Sequence, residues 1–196
     1  NPFFLRESGV SRLVSEYYWH MGEFFMSKGE NSQGQLYLQK AREQNRAANP
    51  YMSYNLASWF FKLGKREGAL QEVKKSLGLN PSFPALYYLL GQFYKEMSRP
   101  QEAIEAYTRL AELKHLSFIY DELAVLHYNQ GDMSRAKDYA LLSLQLNPRN
   151  DMPHALLGLI YARENRKEDA RRESVQALSL NPKNDTAQRV LQGLKE

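Results

Sequence analysis

No cysteine occurs in the 196 residues, which removes disulfides, thiolate metal sites and cysteine nucleophiles together and leaves the redox compartment open. Long apolar runs are missing too. None approaches the roughly 20 residues that span a bilayer, and the opening Asn-Pro-Phe-Phe-Leu lacks the charged region and cleavage site of a secretory signal. A soluble chain is expected, in the cytoplasm or a bacterial periplasm, free-standing or attached to a larger or membrane-anchored protein. The absence of an initiator methionine at Asn1 is expected of a processed form or a piece of something longer. There is no glycine-rich phosphate loop and no Gly-x-Ser-x-Gly elbow, and Gly64-Lys65 lacks both the upstream glycine and the following hydroxyl residue of a P-loop. Neither enzymatic chemistry nor a cofactor is expected.

Charge of one sign is also lacking. Lys and Arg number 26 against 22 Asp and Glu, a net charge of +4 with the signs interspersed. The excess lies toward the start: residues 1–83 carry eleven Lys and Arg and seven Glu, residues 84–150 seven basic and eight acidic groups. That suits a weakly acidic partner at most.

What the chain does have is a period. Asn-Pro pairs stand at Asn49-Pro50, Asn80-Pro81, Asn147-Pro148 and Asn181-Pro182, the last two 34 residues apart. Placing Pro81, Pro148 and Pro182 at position 32 divides the chain into units 15–49, 50–83, 84–116, 117–150 and 151–184. Segment 1–14 precedes them and 185–196 follows. Position 8 then reads Gly22, Ala57, Gly91, Ala124 and Gly158, and position 20 reads Gly34, Ala69, Ala103, Ala136 and Ala170. Small residues at two fixed places let two helix backbones approach closely, and the bulky residues at position 11 (Phe25, Phe60, Tyr94, His127, Tyr161) fill the space beside them. Each unit therefore reads as two helices joined near Gly29, Gly64, Ser98, Gly131 or Asn165, with the second helix ended by the Asn-Pro step.

With Ala or Ser at position 27 (Ala41, Ser76, Ser143, Ala177), this pattern resembles the tetratricopeptide repeat family over residues 15–184. Leu110 and His115 depart from it in the third unit, and Arg46 replaces proline in the first. The resemblance implies an all-α fold, a right-handed α-solenoid of five helical hairpins whose first helices line a concave, partner-binding groove. Val10, Leu13, Val14, Tyr17, Tyr18, Met21, Phe24 and Phe25 keep helical spacing, so the first helix is expected to start near Ser8 to Ser11 and to cap that end. A last helix with Ala187, Val190, Leu191 and Leu194 on one face, headed by Asn184 or Asp185, is expected to cap the other.

If positions 4, 7, 8 and 11 pack inside each hairpin, positions 2, 5, 9 and 12 face the groove. The stripe runs Glu16, Trp19, Glu23, Met26; Tyr51, Tyr54, Ser58, Phe61; Ala85, Tyr88, Gln92, Lys95; Phe118, Asp121, Val125, Tyr128; Met152, Ala155, Leu159, Ala162. Trp19, Tyr54 and Tyr88 repeat at position 5, an aromatic ladder able to bury apolar side chains and offer hydroxyls to a peptide backbone. The partner-binding residues expected are Trp19, Tyr51, Tyr54, Asn55, Phe61, Tyr88, Gln92 and Tyr128. A family site that clamps a terminal carboxylate would need Lys, Asn, Asn, Lys and Arg where this chain has Trp19, Glu23, Asn55, Ala85 and Leu89, so that ligand is not expected.

Other constellations have blander readings. Glu16, His20 and Glu23 share a helix face but read as a solvated one, and no metal is expected. His127 is expected in the core as a neutral imidazole with a local hydrogen bond. Arg163, Arg166, Lys167, Arg171 and Arg172 are interleaved with Glu164, Glu168, Asp169 and Glu173 and read as an ion-pair face. With Glu16 and Glu23 beside the aromatic ladder, nucleic acid is not an expected partner. Asn184-Asp185-Thr186 matches a glycosylation sequon but already has a capping role. The function expected is a protein-protein interaction scaffold holding a polypeptide segment. The alternative is an accessory domain that positions a substrate or partner for a larger enzyme or membrane protein. Self-association is a third partner reading, with Phe3 to Leu5 as the candidate insert.

Overall fold

Asparagine and proline set the helix limits. In the computed structural model, which describes residues 2–45 and 49–194, with side chains from residue 10 onward in the first helix, the helices run in the order α1 (Pro2–Ser27), α2 (Asn31–Gln44), α3 (Pro50–Lys62), α4 (Arg66–Leu79), α5 (Pro84–Glu96), α6 (Pro100–Leu113), α7 (Ser117–Asn129), α8 (Met133–Leu146), α9 (Asp151–Arg163), α10 (Lys167–Leu180) and α11 (Asp185–Gly193). No strand occurs among the described residues. Pro50, Pro84 and Pro100 stand in first turns, where a missing N–H leaves no bond unmade. The Asn49 carboxamide accepts from Tyr51 N–H at 3.0 Å, Asn150 from Met152 N–H at 3.2 Å and Asn184 from Ala187 N–H at 3.0 Å.

The turns inside the units share one geometry. Gly29, Gly64 and Gly131 take φ of 79°, 76° and 82°, and Ser98 and Asn165 take 56° and 59°. One residue further on, the N–H of Glu30, Lys65, Arg99, Asp132 and Arg166 reaches back to the carbonyl of Phe25, Phe60, Tyr94, His127 and Tyr161 at 2.8–2.9 Å. This left-handed cap closes the end of the first helix. Position 11 thus supplies both the bulky side chain and the carbonyl that anchors the turn.

The chain divides into two compact units, Asn1–Arg99 and Pro100–Glu196. In the first, α1 packs on α2 and α3 on α4, and α5 lies against α3 and α4. In the second, α7 pairs with α8 and α9 with α10, while α6 packs on α7 and α11 closes on α9 and α10. Ala57, Ala69, Ala103, Ala124, Ala136 and Ala170 are fully buried. At the glycine versions of the same positions, a Cβ on Gly22 would lie 2.7 Å from Leu38 Cγ, and one on Gly158 would lie 2.5 Å from Ser174 Oγ. The small residues are therefore a packing requirement.

Four expectations need correction. The first helix begins at Pro2, well before Ser8, because a proline in the first turn is compatible with helix. Val10, Leu13, Tyr17 and Phe24 on it are exposed and do not form an apolar cap. α2 stops at Gln44, capped by Asn45, and the Asn49-Pro50 step opens α3. His127 is buried and stacked on Tyr139 with ring centroids 5.4 Å apart, but its Nδ1 has no hydrogen-bond partner among the described residues; Asp132 Oδ2 stands 3.7 Å away. Arg46, Lys195 and the side chains of Phe3, Phe4 and Leu5 lie outside the described residues.

Burial holds His127 below the ordinary histidine pKa, with Asp132 opposing the shift. A depressed folded-state pKa gives stability that is present above the unfolded value near 6.5 and lost as pH falls toward the folded one. Stability is therefore expected to drop as pH falls below about 6.5. His127→Phe, matching Phe60 at the same position, should flatten that slope in urea titrations at several pH values; an unchanged slope would assign it elsewhere.

A buried carboxylate lies in the first unit. Glu72 is 1% exposed and accepts from Arg42 Nε at 3.2 Å, Asn45 Nδ2 at 3.1 Å and Ser53 Oγ at 3.0 Å. Asn45 Oδ1 also accepts Asn49 N–H at 2.9 Å. One carboxylate thereby joins the end of α2, the start of α3 and the middle of α4.

Candidate partner-binding groove

Repeat positions 5, 9 and 12 share a face of each hairpin's first helix, and in the compact unit Asn1–Arg99 that face opens on a groove of about 640 Å³. Trp19 and Glu23 come from α1, Tyr54, Asn55, Ser58, Trp59, Phe61 and Lys62 from α3, and Leu89, Gln92, Phe93 and Glu96 from α5. Five of the sequence-expected residues, Trp19, Tyr54, Asn55, Phe61 and Gln92, meet there.

Their roles differ. Phe61 is buried and stacks face to face on Phe93 at 4.0 Å, with the Arg66 guanidinium 5.8 Å from its ring, so it forms floor and seam between α3 and α5. Lys62 Nζ lies 5.4 Å over the Trp59 ring. Ser58 Oγ donates to Tyr54 O at 2.8 Å, and the Trp19 indole N–H is buried without a hydrogen-bond partner among the described residues. The Asn55 carboxamide makes no hydrogen bond among the described residues, leaving a donor and an acceptor at the centre of an aromatic wall.

Three expected residues stand elsewhere. Tyr88 lies outside the lining, its hydroxyl accepting Gln92 Nε2 at 2.8 Å. Tyr51 is 71% exposed and packs edge-on against Phe83. Tyr128 belongs to the second unit, covered by Arg163 at 4.6 Å from its ring. On the same stripe Asp121 and Ala155 are buried and do not face a groove. Asn150 Nδ2 donates to Asp121 Oδ2 at 2.7 Å, and burial raises the Asp121 pKa above the ordinary carboxylate value.

Trp59, Leu89, Phe93 and Glu96 escaped the sequence reading because it followed only one row. They belong with Asn55 and Lys62 to an adjacent row at positions 6, 10 and 13, visible as Asn55-Trp59-Lys62 and Leu89-Phe93-Glu96. Elsewhere, Glu16 is held by Arg12 at 2.9 Å and His20 Nδ1 is 3.9 Å from Glu23. Among the described residues no group of three His, Asp or Glu is placed to hold a metal ion. In the basic cluster Arg166 and Arg172 reach Asp169 at 2.8 and 2.7 Å, and Lys137 reaches Glu164 at 2.8 Å. The hydrogen bond from Arg166 does most to hold Asp169 below the ordinary carboxylate pKa. No described helix is long and apolar enough to cross a membrane.

Hairpins with small residues at the helix crossings, left-handed turns and a side-chain groove define a helical-repeat scaffold for protein interaction. Residues 84–114, 119–150 and 154–184 match the family model of the tetratricopeptide repeat, and the chain belongs to that family. It is 26% identical over 175 residues to anaphase-promoting complex subunit 7 of Dictyostelium discoideum, covering 87% of this chain and 30% of that protein. It is 28% identical over 91 residues to a protein O-mannosyl-transferase of Caenorhabditis elegans, covering 46% and 13%. The chain thus spans less than a third of the length of these relatives. Among solved structures, the MamA protein superposes with a TM-score of 0.73 at 20% identity, covering 87% of this chain and 93% of that one. YrrB, described as a tetratricopeptide protein with an unusual peptide-binding site, superposes at 0.72 and 18% identity, covering 89% and 90%. Likeness at these identities is one of fold.

Proposed function

We propose that the groove of the first unit holds a polypeptide segment of a protein partner. The observation that carries this reading is the Asn55 carboxamide, unengaged among the described residues, beside Trp19, Tyr54 and Trp59: a side-chain donor and acceptor that suit a peptide backbone, set among rings that bury apolar side chains. A peptide laid across α1, α3 and α5 would place an apolar side chain on the rings and its main chain on Asn55 and Gln92. The peptide-binding site described for YrrB, a protein of the same fold, supports the same reading.

Peptide display against the chain tests it. Ligands selected on the wild type should lose about 30-fold or more in affinity with Tyr54→Ala, an aromatic hot-spot loss of about 2 kcal/mol, and about tenfold with Asn55→Ala. Ligands that bind both variants as well as the wild type would place recognition on another face.

A second reading is favoured by length alone. Because the chain spans 30% and 13% of its two relatives, the groove would then position a partner for a longer protein of which these hairpins are the docking part.

A further inference from the structure

Four charged side chains line the groove of the unit Asn1–Arg99, and their signs alternate across it. Glu23 comes from α1, Lys62 and Arg66 from the α3–α4 hairpin, and Glu96 from α5. Carboxylates thus stand on the two outer helices with two cations between them. None of the four pairs with a Lys, Arg, Asp or Glu among the described residues. Lys62 and Arg66 rest over the faces of Trp59 and Phe61, weak contacts at an exposed site. Glu23 has only the His20 imidazole nearby, at 3.9 Å, and Glu96 has no hydrogen bond. The second unit does the opposite with its charges: Arg166 closes on Asp169 and Lys137 on Glu164, both at 2.8 Å. In the groove the charges are left for an occupant.

The form of the occupant follows from Asn55. Its carboxamide offers a donor and an acceptor to a main chain. A helical segment spends its own N–H and C=O groups internally, whereas an extended one keeps them free. Packed helices stand about 8–10 Å apart, and an extended chain advances about 3.3 Å per residue. About three residues therefore carry it from one helix of the groove to the next. A segment crossing α1, α3 and α5 in that form meets a carboxylate, then the two cations, then a carboxylate. Its complement is a basic residue over Glu23, an acidic one over Lys62 and Arg66, and a basic one over Glu96. Because the lining balances two carboxylates with two cations, the net charge of a ligand matters little and the order of its charges matters most.

We propose, resting on the reading that a polypeptide segment lies in this groove, that the occupant is an extended segment with basic, acidic and basic residues about three places apart. Its apolar side chain lodges among Trp19, Tyr54 and Trp59, at the uncharged end of the groove.

Peptide display on the whole chain, followed by reciprocal charge exchange, tests the order. Ligands selected on the wild type and lost with Tyr54→Ala should carry the basic-acidic-basic pattern. Replacing a terminal basic residue of such a peptide by Glu should weaken binding about tenfold. Glu23→Lys in the chain should restore it at one end of the peptide and Glu96→Lys at the other. A peptide with Lys at the central place should likewise be restored by Lys62→Glu. Glu23 is half-buried and Lys62 and Glu96 are exposed, so helical circular dichroism should stay that of the wild type. Ligands that Tyr54→Ala abolishes but that show no charge order overturn the proposal and leave the groove reading standing. So do charge exchanges that the reciprocal variants fail to restore. Ligands indifferent to Tyr54→Ala overturn both.

Discussion

Glu72→Ala is expected to lower the unfolding free energy of the first unit by about 3 kcal/mol, the loss typical when one member of a buried ion pair is removed. Arg42 is 37% exposed at its side chain and can turn to water, but Asn45 and Ser53 are buried and would keep polar groups without their acceptor. Glu72→Gln preserves shape and part of the hydrogen bonding and should lose less. Glu43→Ala, one turn of α2 past Gln39 and exposed, should change stability by less than about 0.5 kcal/mol. Urea unfolding followed by circular dichroism provides the comparison. A Glu72→Ala loss below about 1 kcal/mol would mean that the network is decorative.

Gly34→Val should be nearly as damaging, by about 2–3 kcal/mol. A Cβ there would lie 2.5 Å from Met26 Sδ and 3.1 Å from the Gly22 carbonyl. The methionine can swing aside, but the backbone of α1 cannot move without opening the α1–α2 crossing. The contrast is Gly78→Ala, inside α4 with nothing within 4 Å of the added carbon. That change should stabilise by about 0.5–1 kcal/mol through helix propensity alone. Equal signs for the two substitutions would remove close approach as the reason for glycine at position 34.

The hairpin fold was legible because its requirements are local. Gly22 and Gly34 must be small where backbones touch, and Gly29, Gly64 and Gly131 answer a left-handed turn; both demands recur at one period. Ser98 and Asn165 could be read as turn residues only through that period, since neither type by itself marks a positive φ. The groove was half legible. Trp19, Tyr54 and Gln92 follow from one helical row, whereas Trp59 and Phe93 lie on the adjacent row, which shares the opening because a groove is wider than a single row of side chains. Tyr51 and Tyr88 share the chemistry of the groove residues yet pack against Phe83 and Gln92, a matter of rotamer and neighbour that spacing does not encode. Glu72 was invisible for a similar reason. A glutamate in a helix reads as solvent-facing until Arg42, Asn45 and Ser53, up to 30 residues away, are known to converge on it.

The chain has only two tryptophans, and both Trp19 and Trp59 line the same groove. Selective excitation of indole emission therefore interrogates one place in the molecule. An occupant that desolvates these rings, or lifts Lys62 from Trp59, will change emission wavelength and quenching by iodide, whereas an event confined to the second unit will leave the spectrum still. The protein carries its own optical reporter for groove occupancy, and titration of any candidate ligand can be followed without a label.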